Sequence, residues 1–161
     1  MINVEELLRR YVDLPRFSDG RIDYSKTKSA PVLTCFITLN GKILLLKRSN
    51  SVTTYKGKWN TVAGYIDEPK PIQAKALEEV LEETGITKEL ICEVIEGESL
   101  IINDANRTWI VFPVLVKLKQ MPKLRLNFEH TEAKWILPEE LPKYEIVPKL
   151  ELSLKAIQRF I

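Results

Sequence analysis

The stretch GYIDEPKPIQAKALEEVLEETGI, Gly64 to Ile86, decides how this chain is read. Pro71 opens a helix that runs to about Thr84 and stops at Gly85, with proline at the first turn and glycine just past the end. On a helical wheel Ala74, Leu77, Val80 and Leu81 share one face and are expected to pack on a sheet. Glu78, Glu79, Glu82 and Glu83 take the opposite face. Glu83 lies about 40° from Glu79 around the axis, and Glu82 about 60° to the other side. Like charges at this spacing cost a bare helix about 0.2–0.5 kcal/mol per pair. A solvated surface explains many acidic helix faces. Clustered carboxylates are equally what Mg²⁺ or Mn²⁺ takes as hard oxygen ligands.

Working outward, residues 32–39 and 42–48 read as strands joined by Asn40-Gly41, a strong hairpin signal. Ser49 to Lys58 is polar and reads as a loop, and Trp59 to Ala63 as a short strand. Beyond the helix, residues 89–102 and 107–118 read as two long strands around the turn Asn103-Asp104-Ala105-Asn106, and 133–137 as a short strand. Residues 3–12 and 148–160 read as amphipathic helices, with a loop from Leu14 to Pro31. Strands, a central helix, more strands and a final helix predict an α/β domain, a mixed β-sheet sandwiched between α-helices. A single domain over 1–161 is expected, with 1–30 as an N-terminal helix and loop extension.

Composition narrows the function. The chain has 161 residues, 45% hydrophobic and 29% charged, which excludes a disordered chain. Lys plus Arg is 24 against 22 for Asp plus Glu, without the basic excess of a dedicated nucleic-acid binder. Cys35 and Cys92 form no Cys-x-x-Cys, so zinc and dithiol redox motifs are absent. The longest apolar run, Trp109 to Val116, is broken by Pro113 and is far short of the about 20 residues of a membrane helix. The start, Met1 to Glu6, lacks the basic and apolar regions of a signal peptide. A cytoplasmic protein with no membrane partner is the expectation.

The segment Gly64 to Ile86 resembles the Nudix box: Gly, five residues, Glu, seven residues, Arg-Glu, an aliphatic, any residue, Glu-Glu, any residue, Gly, an aliphatic. Gly64, Glu79, Val80, Glu82, Glu83, Gly85 and Ile86 fall in register. The stretches Gly41–Arg48 and Gly57–Gly64, and the downstream Glu129-His130 with Lys134-Trp135, are similar to the family as well. Lys70 stands where the box has Glu, and Glu78 where it has Arg.

The resemblance implies a Nudix-type sheet-and-helix fold and hydrolysis of a diphosphate linked to another group, in a nucleotide-like or other small compound. Glu79, Glu82 and Glu83 would be metal ligands for Mg²⁺ or Mn²⁺, joined by a backbone carbonyl at Ala63 or Gly64. Glu79, Glu82 and Glu129 are the catalytic candidates, with Glu129 as a late ligand or general base. Arg48 suits phosphate oxygens because of its planar fork. Lys58 and Tyr55 are further substrate contacts. His130, the single histidine, reads as structural or as an acid–base or substrate contact. Trp59 and Trp135 read as core. The resemblance also allows a homodimer.

A second reading is a non-catalytic Nudix domain, a ligand-binding sensor or interaction module, favoured by Lys70 and Glu78 and opposed by the intact Glu79, Glu82 and Glu83. A third, isopentenyl-diphosphate isomerase, is disfavoured because Leu33-Thr-Cys-Phe does not resemble that enzyme's cysteine motif. Lys75, near −40° from Glu79 on the wheel, is expected to replace the missing Arg by pairing with Glu78 or Glu82.

Overall fold

A computed structural model describes residues 3–104 and 106–161. Met1, Ile2 and Ala105 lie outside the described residues, and with them part of the expected Asn103–Asn106 turn and the first residues of the expected leaderless start. The elements are α1 (Val4–Leu8), β1 (Ser29–Leu39), β2 (Lys42–Arg48), β3 (Trp59–Asn60), β4 (Val62–Tyr65), α2 (Ile72–Thr84), β5 (Ile91–Glu96), β6 (Leu100–Asp104), β7 (Arg107–Leu118), β8 (His130–Ile136) and α3 (Leu150–Ile157). The expected α/β architecture, a mixed sheet between helices, is present.

β1 and β7 run parallel at the centre of the sheet, from Ser29↔Thr108 to Thr38↔Lys117. Asn40 and Gly41 both adopt positive φ, as the tight hairpin between β1 and β2 requires. The two strands stay paired only at Thr38↔Ile43 and Leu39↔Lys42 and then diverge. β4 pairs with the upstream half of β1, and β3 with the end of β2. Thr61, between β3 and β4, bridges the split: its hydroxyl reaches the carbonyls of Cys35 (2.8 Å) and Leu44 (3.3 Å). This wedge carries Ala63 and Gly64 under helix α2.

The period-2 alternation of the strands divides the core between the two faces of the sheet. Leu33, Cys35 and Ile37 of β1, Leu44 and Leu46 of β2, and Val114 and Val116 of β7 share one core with Ile72, Ala76 and Val80 of α2 and with Val4, Leu7 and Leu8 of α1. Phe36, Ile43, Leu45 and Leu115 point the other way, to Leu150, Leu154 and Ile157 of α3. Both terminal helices therefore cover their apolar sides on this chain's own sheet. Trp59 is buried in the second core, and Trp135 packs partly buried against the first. No helix among the described residues is long and apolar enough to cross a membrane.

Three expectations need correction. The long strand over 89–102 is two strands, β5 and β6, broken at Gly97. Pro113 opposite has no N–H to offer the ladder, and its carbonyl accepts the Gly97 N–H (2.8 Å). Gly97 is also pressed by α3: a Cβ there would lie 2.8 Å from Ile157. The stretch 59–63 is likewise two short strands, parted at Thr61. The third correction concerns the face of α2. Leu81 is 47% exposed and Ala74 is exposed, whereas Ile72, Lys75, Ala76, Glu79, Val80 and Glu83 are buried. The wheel assumes that a helix turns its apolar side to the sheet. Here the sheet presents Ala63 and the bare Gly64, beside Glu129 and His130, and α2 turns two of its carboxylates inward.

Candidate active site

The inward turn of α2 depends on one small residue. A Cβ on Gly64 would lie 2.7 Å from Glu79 Cδ and 3.0 Å from each of its carboxylate oxygens. Only a bare backbone lets the Glu79 carboxylate rest on β4. One turn further along, Glu83 is buried beside His130, the first residue of β8, with Glu83 Oε1 3.7 Å from Nε2. Glu129 precedes it, and ligand atoms of Glu83, Glu129 and His130 all lie within 4.8 Å of one another. Asn127 fixes Glu129 by accepting its backbone N–H (3.1 Å) and donating from Nδ2 to Oε2 (3.2 Å).

Burial is the main force on these acids. It pushes the Glu79 carboxyl up to about 7, against the opposing pull of the Lys75 ammonium. Glu83 is pushed well above the usual carboxylate range, by burial and then by the nearby charges of Glu129 and Glu79. Burial, reinforced by the Arg48 cation, lowers His130 to about 4, so the imidazole is neutral at physiological pH. Glu83 Oε2 and both His130 nitrogens have no hydrogen-bond partner among the described residues. Buried polar atoms of this kind ordinarily have partners. Two desolvated carboxylates, an anchored Glu129 and an unprotonated imidazole form a donor set that fits a divalent cation.

The positive charges beside α2 are arranged differently from expectation. Lys75 is buried, with its Nζ 3.1 Å from Asp67, 3.3 Å from Glu68 and 3.5 Å from Glu79. Burial opposes its charge, yet these carboxylates outweigh it and hold the ammonium above its ordinary range. Lys75 thus reaches the acidic face but does not pair with Glu78 or Glu82. The reason is local: the loop before α2 folds Asp67 and Glu68 over it, and Glu78 is already held by Lys70 (2.8 Å) and Arg21 (3.1 Å). Arg21 also reaches Glu68 at 3.3 Å, so the N-terminal extension braces the box from outside. Glu82 is exposed on the outer side of α2 and is not brought into the cluster.

A cleft of about 360 Å³ opens beside the cluster. Its polar end holds Arg48 and Glu129, and its floor is Ala63 and Gly64. The Arg48 guanidinium donates to the Thr54 carbonyl (2.9 Å) and hydroxyl (3.2 Å). Burial lowers its pKa, opposed by Glu129 and Glu83, and it forms no ion pair among the described residues. Tyr55, held at φ 51, also lines the cleft and donates its hydroxyl to Asp104 across the mouth. Lys58 stays outside: it is 45% exposed and pairs with Glu145 at 3.5 Å.

The far end of the cleft is aromatic and was not anticipated. Tyr65 and Trp109 line it, with ring centroids 6.2 Å apart, and the Arg107 guanidinium lies 4.4 Å over the indole. Asn60 also lines the cleft, and its buried Oδ1 has no partner among the described residues. Tyr65 and Trp109 are separated along the chain and meet only through the β1–β4 and β1–β7 registers. The one local signal is that Arg107 and Trp109, two apart on a strand, share a face.

The NUDIX domain family profile matches residues 28–156. No curated protein matches the chain significantly in sequence. Among solved structures, the chain is similar to the MutT protein from Methanosarcina mazei Go1 (TM-score 0.68, 21% identity, 84% of this chain and 96% of that one). It is also similar to an Ap4A hydrolase from C. elegans in a binary complex (TM-score 0.62, 24% identity, 83% and 97%). A NUDIX hydrolase from Nitrosomonas europaea shares the fold at a TM-score of 0.67 and 19% identity, over 83% and 90%.

Proposed function

Because the chain belongs to the NUDIX domain family of pyrophosphohydrolases, we propose that it hydrolyses a diphosphate linkage in a nucleotide-like compound with the help of a divalent ion, Mg²⁺ or Mn²⁺. The observation that carries the reading is the burial of Glu79 and Glu83 beside Glu129, at the end of a cleft whose cation, Arg48, has no carboxylate partner at ion-pair distance among the described residues. Acids kept buried without an ion are costly, and a cation removes that cost.

Glu79, Glu83 and Glu129 would hold the ion, with the backbone at Ala63 or Gly64 close by. When bound, the ion supplies charge to polarise the phosphate and lowers the pKa of water. The chain's own groups do the rest. Arg48 receives the diphosphate oxygens and stabilises charge as the bridging oxygen leaves. Glu129, held by Asn127, takes the proton of the attacking water as its oxygen bonds to phosphorus and the bridging P–O bond breaks. Tyr65 and Trp109 offer flat apolar faces to the attached group, and Asn60 Oδ1 accepts a hydrogen bond from it. That combination suits a nucleobase. One of the similar structures is an Ap4A hydrolase, which agrees with a nucleotide-like substrate.

A non-catalytic role is less well supported. A site drifting from catalysis loses its costly buried acids first, and here they are kept and braced by Lys75, Lys70 and Arg21. We place the enzyme in the cytoplasm, and a homodimer is compatible with the exposed Leu152 and Phe128. The test is a screen of nucleoside di- and triphosphates, dinucleoside polyphosphates and sugar diphosphates with Mg²⁺ or Mn²⁺, reading released phosphate and nucleoside monophosphate. Turnover that requires the ion supports the reading; tight binding of these compounds with no turnover in either ion contradicts it.

A further inference from the structure

We infer that the metal centre is a mixed nitrogen–oxygen one, in which His130 joins Glu83 and Glu129 as a ligand, and that this chain favours Mn²⁺ or Co²⁺ over Mg²⁺. The inference rests on the metal-dependent reading above and adds a ligand and an ion preference to it.

The His130 side chain is 1% exposed, and neither ring nitrogen has a partner among the described residues. Its Nε2 faces Glu83 Oε1 at 3.7 Å, too long for a hydrogen bond. A histidine kept only to orient Glu83 would sit at hydrogen-bond distance. The other carboxylate oxygen, Oε2, is equally without a partner. One atom each from Glu83, Glu129 and His130 falls within 4.8 Å of the others. Ligands bound at about 2.1 Å stand roughly 3.0 Å apart when adjacent and 4.2 Å when opposite. The atoms are thus near ligand spacing before any ion draws them in.

The backbone holds them there. His130 pairs with Arg48 where β2 bulges, and Ser49 N–H donates to the Glu129 carbonyl at 2.8 Å. Asn127 sets the Glu129 carboxylate as a supporting hydrogen-bond partner sets a metal ligand. A nitrogen ligand adds affinity for first-row transition ions, more for Co²⁺ than for Mn²⁺ in the Irving–Williams order, whereas Mg²⁺ takes oxygen and keeps its waters.

The chain contains one histidine, so a label on that residue type reports on His130 alone. The experiment is pulsed electron paramagnetic resonance of the untagged full-length protein loaded with Mn²⁺, prepared with natural and with ¹⁵N-labelled histidine. Equilibrium dialysis of Mn²⁺ and Mg²⁺ accompanies it. The expected result is a ¹⁴N coupling that changes to ¹⁵N with the label. In His130→Ala the coupling is lost and the preference for Mn²⁺ over Mg²⁺ falls by about tenfold or more. If His130→Ala does not fold, the labelled parent protein decides alone. Bound Mn²⁺ without nitrogen coupling overturns the ligand assignment and leaves the metal-dependent reading standing. No Mn²⁺ binding at all overturns both.

Discussion

Lys70 Nζ lies 2.8 Å from Glu78 Oε2, so the two residues that depart from the Nudix pattern pair with each other. Where the box has Glu and Arg, this chain has Lys and Glu in the same two places. The order of the two charges is reversed relative to the box. It ties the loop that carries Asp67 and Glu68 to the outer side of α2, and these two acids hold Lys75 against Glu79. Lys70 and Arg21 thus neutralise Glu78, the residue in the Arg position, and Lys75 is the cation that lies against a retained box carboxylate.

Reversal of polarity predicts rescue. Lys70→Glu alone places like charges beside Glu68 and Glu78, and is expected to lower kcat/KM by roughly threefold to tenfold. Adding Glu78→Arg re-creates a favourable pair, and activity is expected to recover to within about twofold of the parent. Steady-state kinetics on both variants check this. A double variant no better than the single would show that the pair has no role in positioning α2.

Glu79 gives a pH dependence whose sign can be worked out. Its carboxyl is at about 7 in the fold, above its ordinary 4.5, chiefly because of burial. The folded protein keeps a proton that the unfolded chain releases, so the penalty is absent below about pH 4.5 and complete above about pH 7. Metal-free stability is expected to fall as pH rises through this window, by on the order of 3 kcal/mol. Thermal unfolding at pH 5 and pH 8 tests it. Glu83→Gln is expected to raise the metal-free midpoint at pH 8, and a saturating divalent ion to remove most of the pH effect.

How far the site could be read beforehand follows from which residues meet locally. The hairpin at Asn40-Gly41, the helix from Pro71 to Gly85 and the pairing of Glu79 with Glu83 are short-range features, and each is present. The wheel turns the wrong face of α2 inward because it ranks residues by polarity and takes no account of the space at Gly64 into which Glu79 folds. The pairing of Lys75 was misread because wheel geometry contains only α2, while Asp67 and Glu68 come from the loop before it. Tyr65 and Trp109 meet only in the folded sheet, through the β1–β4 and β1–β7 pairings between segments far apart in sequence, and Asn60 reaches the cleft from β3.

Gly64→Ala separates site geometry from fold stability. The new methyl would lie 2.7 Å from Glu79 Cδ, the end of a flexible side chain that can swing away. The expected outcome is a folded protein with a small change in thermal midpoint and a loss of divalent-ion affinity of at least about tenfold. Calorimetric titration with Mn²⁺ reads it; unchanged affinity would remove Gly64 from the site.

The aromatic end of the cleft makes a separate claim about the substrate. Trp109→Ala is expected to raise KM for nucleotide-like compounds by about tenfold or more, as a stacking loss of about 1–3 kcal/mol implies. Its effect on kcat should be small, because the indole is placed to bind the attached group and not the phosphate. Asn60→Leu is expected to shift preference among bases more than it changes turnover of any one. Equal effects on all diphosphates would place both residues in structure and not in recognition.

In the proposed function the buried pair on α2 makes the reaction metal-dependent. The most direct measurement is Mn²⁺- or Mg²⁺-dependent release of phosphate or nucleoside monophosphate by Glu79→Gln/Glu83→Gln, set beside its circular dichroism and thermal midpoint. The expected result is a folded protein at least as stable as the metal-free parent, with turnover lost at every ion concentration. A double variant that folds and still hydrolyses the substrate at near the parental rate would contradict it.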